Sequence, residues 1–431
     1  MNKKLLLIPL ALLLVISLIA IGCPTPTPPV EEEEGPPPPP PPPPTKDKIV
    51  VGMSRPLSGP LAIIGDSALR IIYETWVPIV NADGGIYLSE YGKKLPIELK
   101  IYDDKSDVGT MTRLTEKLIL EDKVDFLWPA CGTAFIFGQA PIANKYGYVL
   151  LTAEGGATTI KDALYGLPYV FVSLSFSDWY ELPVFADMLG EKGAETAYVT
   201  YIADLHGIEY SGVAGLEFPR VGIKILGSVS LPPDLKDFAP VIQDAMASGA
   251  DVFCCFGYPD QVLPVTGTAI ALGYNPKAFI VGPGGNFGFY HVAFGPATEG
   301  ICSFGVFARG QTPELDEVVD LLYTDRPEEA QDWWGHPLYW GAWDYWKQAV
   351  EMVGSTDQDA LREVFATQHF DTVLGDTYFT IFGGGGLMAK ESHPGEIGQW
   401  QNGVFEVVGA GDWPNAKLTA DFLYPKPAFP K

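Results

Sequence analysis

Segments with the apolar pattern of a strand alternate along the chain with segments that have the apolar pattern of a helix, and their order predicts α/β structure. The apolar run Phe126 to Trp128 is followed by small residues, an amphipathic segment that ends at Lys145, and a second apolar run, Tyr148 to Leu151. This order predicts strand, loop, helix, strand and loop, a parallel crossover unit that leaves both loops at the same edge of a sheet. Ligands of open α/β sheets bind beyond the carboxyl ends of the strands, so we expect both loops to border one site.

The same alternation continues on both sides of this unit. The patterns predict these strands: 48 to 52, 95 to 102, 169 to 172, 196 to 201, 223 to 229, 252 to 256, 278 to 281, 304 to 307, 377 to 387 and 400 to 408. They predict these helices: 66 to 80, 110 to 121, 179 to 192, 210 to 218, 238 to 248, 261 to 272, 313 to 323, 338 to 353 and 357 to 366. Strands that alternate with helices of this length indicate two α/β units with parallel-rich sheets.

Small residues fill the two loops of the first unit. Cys131, Gly132 and Thr133 follow the first apolar run, and Gly155 and Gly156 follow the second. Such residues let backbone and hydroxyl groups approach a small molecule closely. Glycines after strands also serve as plain turn residues, so the loops alone leave both interpretations open.

Composition narrows the class of protein and of partner. With 431 residues and 47% hydrophobic content, the chain is long enough for two globular domains with a large core. Its formal net charge of -25 argues against nucleic acid or an anionic membrane surface as the partner, because both repel an acidic protein.

The N-terminus has the pattern of a secretory signal. Two lysines precede an apolar run from Leu5 to Ile21, and Gly22 and Cys23 follow it. The junction resembles a bacterial lipobox, which implies a signal peptide at residues 1 to 22, a lipidated Cys23 and a body outside the cytoplasm, tethered to the cell membrane. Ala20 stands where leucine is usual, and the run is close to spanning length, so an uncleaved membrane anchor remains an alternative.

A proline-rich linker occupies the rest of residues 23 to 46. A proline tract cannot build a core and favours polyproline II, a semi-rigid spacer whose reach here would be on the order of 60 Å. A disordered tail is the alternative interpretation, and it would leave the body equally accessible.

The remaining cysteines and the histidines carry no recognisable catalytic or metal-binding spacing. Cys254 and Cys255 are adjacent in an apolar run, whereas Cys131 and Cys302 stand alone, and we expect buried thiols. The five histidines are scattered, and neither a Gly-x-Ser-x-Gly elbow nor a His-Glu-x-x-His pair is present. We therefore expect a protein that is not an enzyme and that needs no metal or cofactor.

An ordered set of short motifs resembles one known family. The motifs are Ser58-Gly59-Pro60-Leu61-Ala62 with Gly65-Asp66, Asn81 to Gly85, Tyr102-Asp103-Asp104, Ala140-Pro141-Ile142-Ala143 with Lys145-Tyr146-Gly147, Asp237-Phe238, Gly257-Tyr258-Pro259, Leu272-Gly273-Tyr274, Gly282-Pro283-Gly284 and Glu299-Gly300. Together they resemble the Leu/Ile/Val-binding family of periplasmic and lipoprotein solute receptors that serve ABC importers. The resemblance covers about residue 47 to the C-terminus.

That resemblance implies two α/β lobes that close around a ligand, joined by three crossing strands. The crossings would lie near Ser173, Ser303 and Ser392. Lobe 1 would comprise residues 47 to 173 and 303 to 391, and lobe 2 would comprise residues 174 to 302 and 392 to 431. A monomer that delivers a small amino-acid-like, amide or aromatic carboxylate ligand to a permease is the expected function.

The resemblance also assigns ligand contacts in lobe 1. Thr133 falls where a hydroxyl and an amide hold the ligand carboxylate, with Cys131 and Gly132 beside it, and Ile64 is a further candidate. The next loop would contribute Glu154, Gly155 and Gly156. Because Gly156 replaces a common serine or threonine, its backbone amide would act alone unless Thr158 reaches in.

The contacts assigned in lobe 2 put an amino-acid ligand in doubt. Tyr258 falls on the aromatic residue that covers the ligand, and His206 falls where another tyrosine is frequent. The acid that commonly pairs with the ligand ammonium falls on Gly284, and a buried ammonium without a carboxylate is costly. Glu154, Asp204 or Asp260 would have to replace that acid, or the ligand lacks an amine.

Two further features leave alternatives open. Arg55, at the end of the first strand, could bind an anionic ligand bidentately or pair with a neighbouring acid at the surface. The stretch from Asp332 to Trp346 contains five tryptophans, which could pack in the core, reach the cleft, or do both.

Two alternative functions remain open. One is a ligand-sensing ectodomain of the same fold, and the other, which the sequence favours less, is a hydrolase.

Overall fold

The computed structural model describes residues 45–153, 155, 160–173, 181–305, 307–392, 396–411 and 416–430. The strands are β1 Ile49–Arg55, β2 Ile86–Leu88, β3 Lys93–Leu95, β4 Ile97–Asp103, β5 Phe126–Leu127, β6 Leu150–Leu151, β7 Val170–Val172, β8 Thr196–Ile202, β9 Lys224–Leu231, β10 Val252–Phe256, β11 Ala278–Gly282, β12 Ile301–Gly305, β13 Phe370–Thr372, β14 Gly375–Thr377, β15 Phe379–Phe382, β16 Gly385–Met388, β17 Glu396–Gln401 and β18 Val404–Ala410. The signal, Cys23 and nearly all of the proline-rich linker lie outside the described residues.

The helices are α1 Ala62–Ile64, α2 Ile71–Ala82, α3 Val108–Leu120, α4 Thr133–Lys145, α5 Ile160–Ala163, α6 Leu182–Glu191, α7 Leu205–Arg220, α8 Ala239–Ser248, α9 Pro259–Leu272, α10 Gly288–Phe294, α11 Pro313–Tyr323, α12 Gly335–Val353 and α13 Gln358–Thr367. A π-helical turn, Gly65–Arg70, joins α1 to α2 without a break in the helical path.

Two small sheets form the first half of the fold. One has the strand order β4-β1-β5, with all pairs parallel, and the other has the order β15-β16-β7-β6. In the second sheet β16, β7 and β6 are parallel, and only the β15–β16 pair is antiparallel. The strands are short and apolar, and helices pack over them, as expected for parallel sheets that are buried on both faces.

A seven-stranded sheet forms the second half, in the order β18-β17-β12-β11-β10-β8-β9. Strands β8, β9, β10, β11 and β12 run parallel, whereas β17 and β18 are antiparallel additions from the C-terminal region. All of β10, β11 and β12 is buried. The chain leaves the first half after β7, returns to it after β12, and leaves it again between β16 and β17. The sheets therefore confirm an α/β fold with two parallel-rich halves and three chain crossings.

Several elements differ from the sequence prediction, for local reasons. Helix α7 begins at Leu205 rather than at residue 210, because the Asp204 side chain accepts a hydrogen bond from Gly207 N and caps the helix. The apolar run from 377 to 387 folds back on itself as β15 and β16, turning through Gly383 and Gly384, both with positive φ. The hairpins β2–β3 and β13–β14 have strands of three residues, too short for the alternation to identify them.

Candidate ligand site between the two halves

Two loops at the carboxyl ends of β5 and β6 form one wall of a cavity. Gly132 takes a φ of 95° immediately before α4, a conformation that favours glycine, and Thr133 opens the helix. Gly155, in the loop after β6, comes so close that an added Cβ would lie 2.5 Å from the Ile136 side chain and 3.3 Å from the Gly132 carbonyl oxygen. The two loops are therefore in contact, as the crossover unit predicts.

The second wall comes from the carboxyl ends of β8, β10 and β11. His206 and Tyr210 lie one turn apart on α7, so they share the face that looks onto the cavity. Tyr258 follows β10, and its ring stacks on the His206 imidazole with centroids 5.0 Å apart and planes 25° apart. An added Cβ on Gly132 would lie 4.0 Å from the Tyr258 hydroxyl, so this side chain crosses to the opposite wall.

The tryptophan-rich stretch divides between the core and the cavity. Trp343 stacks on Trp128 with centroids 3.7 Å apart, and Trp346 meets Trp128 edge-on at 5.9 Å. Trp334 and Tyr339, from the same stretch, line the cavity instead. Both interpretations of the stretch therefore hold, each for different residues.

The complete lining is apolar and aromatic with few polar groups. The cavity is small, about 40 Å³, which corresponds to roughly three water molecules. An organic ligand of ordinary size could enter only if the two halves moved apart. The described lining residues carry no Asp, Glu, Lys or Arg, and they are Leu61, Ile64, Ala68, Cys131, Gly132, Thr133, Gly155, His206, Tyr210, Tyr258, Pro283, Phe287, Trp334 and Tyr339.

Burial keeps the ionisable groups in these walls neutral. It lowers the pKa of His206 below its usual range, although the nearby Asp204 carboxylate works in the opposite direction. It raises the pKa of Tyr258 well above its usual range. His206 Nε2 forms no hydrogen bond with any described residue, so a neutral imidazole nitrogen is available in the cavity wall.

A buried carboxyl group, Glu181, lies behind the wall. It is fully buried and accepts a hydrogen bond from the Tyr210 hydroxyl at Oε2. Burial raises the pKa of Glu181 to about 7, whereas the Tyr210 and Trp334 side chains lower it. The pKa of Tyr210 is raised well above its usual range by burial and by the Glu181 charge.

Several residues predicted for the site lie elsewhere. Arg55 is only 1% exposed; it donates to the Pro129 carbonyl oxygen at 2.9 Å and packs over the Tyr73 ring, so it supports the loop after β5 from behind. Gly284 has a φ of 136°, and an added Cβ there would touch Val262, away from the cavity lining. Glu154, Gly156 and Thr158 lie outside the described residues.

A second hollow adjoins the cavity and is lined by residues from both halves. It shares Thr133 and Tyr258 with the cavity and adds the acidic residues Asp204 and Asp260, together with Pro60. Asp204 is committed to capping α7 through its bond to Gly207 N. The two candidate acids thus line this second hollow and are not among the residues that line the cavity.

On another border of the cavity, the segment before α12 joins the residues around the start of α10. Gly288 N donates to the Gln331 carbonyl oxygen at 2.8 Å, and Asn286 Nδ2 donates to Asp332 Oδ1 at 2.7 Å. His291 Nδ1 lies 2.5 Å from Glu328 Oε1. Asp332 is fully buried, and burial raises its pKa to about 6. We call the contacts between 286–291 and 328–335 the 286/332 junction.

Sequence reasoning missed part of the lining. Tyr210 could have been found, because it lies four residues after His206 on a helix and so shares its face. Pro283 and Phe287 follow β11 at the expected edge of the sheet, but nothing in their sequence distinguishes them from turn residues. Within the described part of the chain no helix is long and apolar enough for a bilayer, and no cluster of three metal-ligating side chains occurs.

Two parallel-rich α/β halves, three crossings and a small apolar cavity at the strand ends of both halves define a two-lobed solute receptor. A family model described as periplasmic binding protein matches residues 48–403, and the chain belongs to that family. It is an extracytoplasmic solute-binding receptor.

Relatives and solved structures agree with this assignment. The chain is 23% identical over 398 residues to a Leu/Ile/Val-binding protein homolog 7 of Brucella abortus strain 2308, which covers 88% of this chain and 94% of the relative. The leucine-binding protein of Thermotoga maritima has a TM-score of 0.71 at 18% identity, covering 85% of this chain and 99% of that one. An ABC-transporter solute-binding protein of Rhodopseudomonas palustris HaA2, in complex with p-hydroxybenzoic acid, also has a TM-score of 0.71 at 18% identity, covering 86% and 98%.

Proposed function

We propose that the protein captures a small apolar or aromatic monocarboxylate and delivers it to an ABC importer by hinge closure between two lobes. The observation that carries the ligand class is the lining of the cavity. It offers the hydroxyl of Thr133, backbone N–H groups at the start of α4 and aromatic rings, while its described residues include no carboxylate. A carboxylate suits hydrogen-bond donors at a helix N-terminus, whereas an ammonium would lie unpaired in the inner cavity.

The position of the two acids in the second hollow, outside the cavity lining, supports this choice over an α-amino acid. Asp260 and Asp204 line the second hollow, and Asp204 already caps a helix. Gly284, which falls on the position of the acid that commonly pairs with a ligand ammonium, offers no side chain to an amine. The solute-binding protein of Rhodopseudomonas palustris HaA2 in complex with p-hydroxybenzoic acid shows that this fold accommodates an aromatic acid.

The lobe bounds expected from the sequence form part of the proposal. We assign residues 47 to 173 and 303 to 391 to lobe 1, and residues 174 to 302 and 392 to 431 to lobe 2. Membership of the sheets supports this division, because β7 and β16 belong to the first half while β12 and β17 pair in the seven-stranded sheet. A ligand that contacts both lobes stabilises the closed form, which is the form a permease would select.

Membrane tethering through Cys23 and a monomeric state complete the proposal. The sequence around Cys23 resembles a lipobox, and an acidic body on a proline-rich spacer would remain soluble beside the membrane. Cys23→Ser should move the protein from the membrane fraction to the soluble fraction if lipid is the anchor. Retention of the variant in the membrane would favour the uncleaved apolar anchor.

The decisive experiment is isothermal titration calorimetry with benzoate, 4-hydroxybenzoate, leucine and isoleucine. We expect an aromatic acid to bind and to raise the melting temperature, since a ligand at 100 times its Kd adds about 2.7 kcal/mol to the stability of the folded state. Thr133→Ala should weaken binding by about tenfold or more through loss of a hydrogen bond to a charged group.

Matched variants and outcomes make this test specific. Thr110→Ala, at a half-buried position on α3, removes a threonine hydroxyl away from the cavity and should leave affinity unchanged. Tight binding of leucine with no binding of either acid would refute the proposed ligand class. Mass spectrometry that recovers the ligand intact after incubation would support a receptor, whereas conversion of the ligand would favour the hydrolase alternative.

A further inference from the structure

Among the described residues that line the cavity, His206 is the one whose side chain can acquire a positive charge. The others include no Lys or Arg, and they include no Asp or Glu either. A ligand carboxylate would therefore bring a single negative charge into an apolar cavity, and an uncompensated buried charge is costly. The N-terminus of α4 supplies part of the compensation, the equivalent of roughly half a positive charge. An imidazolium in the opposite wall would supply the rest.

The hydrogen bonds of the His206 ring leave one nitrogen ready for a proton. The imidazole donates a hydrogen bond to the Gly282 carbonyl oxygen. Nε2 has no partner among the described residues, so Nδ1 makes that bond and Nε2 carries a lone pair. The Gly282 oxygen also accepts from Gly257 N at 3.1 Å, which ties it to the neighbouring chain. A proton added at Nε2 therefore creates a new donor without breaking the bond at Nδ1.

His206 is also close to the wall proposed to hold the carboxylate. The Tyr258 ring stacks on the imidazole, and the Tyr258 hydroxyl reaches the wall at Gly132. His206 is only 7% exposed, and it lines the same cavity as Thr133. A hydrogen bond from protonated Nε2 to a carboxylate oxygen would be charge-assisted and so among the stronger ones.

The groups around His206 set the direction of its response. The titratable groups that surround it are Asp204 and Tyr210 from α7, Tyr258 from the start of α9, Cys131 from the loop after β5 and Tyr339 from α12, with Glu181 behind Tyr210. Burial lowers the pKa of His206, and the Asp204 carboxylate opposes burial, so the free ring is neutral at pH 7. A ligand carboxylate adds a second negative charge and raises the pKa of His206 in the complex.

We propose, on the basis of the proposed function, that His206 takes up a proton at Nε2 when the ligand carboxylate binds, so that ligand capture is coupled to protonation. The proton comes from the solvent and stays on the imidazole while the ligand is bound. Release of the ligand returns the proton. Affinity is then higher in mildly acidic surroundings than in alkaline ones.

The wild-type full chain tests the coupling through the pH dependence of affinity. Titration calorimetry measures the Kd of benzoate and of 4-hydroxybenzoate at pH 6.5, 7, 7.5 and 8, where the ligand carboxyl, with a pKa of about 4, stays ionised. The Kd should rise about three- to tenfold per pH unit, because the neutral ring of the free protein must gain a proton to bind. A Kd that does not change with pH overturns the coupling and leaves the proposed function intact. If neither acid binds at any pH, the proposed function fails and the coupling fails with it.

Proton uptake can also be counted directly. The binding enthalpy at pH 7.5 is compared in phosphate and in Tris, two buffers with different ionisation enthalpies. We expect uptake of about 0.5 to 1 proton per ligand bound. An enthalpy that is equal in both buffers means no uptake and overturns the proposal.

Three variants assign the proton to a residue. His206→Gln keeps hydrogen-bonding groups but cannot titrate, so uptake should fall to about 0.2 or less and the pH dependence of Kd should disappear. His369→Gln, at an exposed histidine beside Asp376, is the matched control and should take up the proton as the wild type does. Glu181→Gln removes the other buried group that a ligand anion could protonate, and it should also keep the uptake. Loss of uptake in Glu181→Gln with retention in His206→Gln overturns the assignment.

Nitrogen NMR of the wild type keeps the test decisive if His206→Gln does not bind. In protein labelled with ¹⁵N-histidine, comparison of the free wild type and the free variant identifies the His206 signals. Addition of ligand at pH 7.5 should move the Nε2 signal from the position of an unprotonated nitrogen to that of a protonated one. An Nε2 signal that stays unprotonated at saturating ligand overturns the proposal.

Discussion

Removing the ionisable group of Glu181 should change how the stability of the protein depends on pH. Burial raises the pKa of this carboxyl from 4.5 to about 7 in the folded state. The folded state therefore holds the proton more tightly than the unfolded state does. Its contribution to the unfolding free energy is fully present below pH 4.5 and is lost as the pH rises through 7.

The size of this effect follows from the same shift. Each pKa unit corresponds to about 1.4 kcal/mol, so the contribution should fall by on the order of 2 to 3 kcal/mol between pH 5 and pH 8. Glu181→Gln has no proton to bind in this range. The unfolding free energy of the wild type, minus that of the variant, should therefore decline by this amount as the pH is raised.

Urea denaturation followed by tryptophan fluorescence at pH 5, 6, 7 and 8 measures the difference. Glu191→Gln serves as the control, since an exposed side chain on the same helix should give curves parallel to the wild type. If the wild type and Glu181→Gln run parallel over the whole range, the carboxyl does not gain a proton on folding, and the reasoning from burial fails.

Substitutions at Gly288 and at Gln139 should each lower the stability of the folded protein. Gly288→Ala should lower the unfolding free energy by about 1 to 3 kcal/mol, because the new Cβ would lie 1.7 Å from the Glu328 carbonyl oxygen and force the 286/332 junction apart. Gly267→Ala is its control: the new Cβ would meet only a ring atom at 3.7 Å, so thermal melting should show no loss. Gln139→Ala should cost about 1 to 3 kcal/mol in urea denaturation, since it leaves the buried Ala130 N–H, now bonded at 2.7 Å, without an acceptor; wild-type stability would contradict that role.

Much of the candidate site could be predicted, because its position follows from the order of strands and helices along the chain. Alternating strands and helices place Thr133, Gly155 and Tyr258 at strand ends, and parallel sheets bring such ends together. The structure places these three residues around one cavity. The resemblance added His206, and Ile64 is a further candidate from the sequence; both line the same cavity.

What could not be predicted depends on contacts between residues far apart in sequence. Arg55 has the sequence position of a ligand-binding residue, but the Pro129 carbonyl oxygen, 74 residues away, holds it inside the structure. Trp334 and Trp343 belong to one aromatic stretch, yet one lines the cavity and the other stacks on Trp128. No periodicity distinguishes Glu181 from an exposed glutamate, because its environment is made by Tyr210 and Trp334.

The 286/332 junction makes one side of the cleft rim stiffer than the other. Opening the cleft on that side would break several buried hydrogen bonds at once, such as the one from Asn286 to Asp332, which is costly. On the side of Pro60 and Asp260, the lobes enclose a hollow rather than a bonded seam. The cleft should therefore open asymmetrically, and the ligand should enter and leave on the side opposite the 286/332 junction.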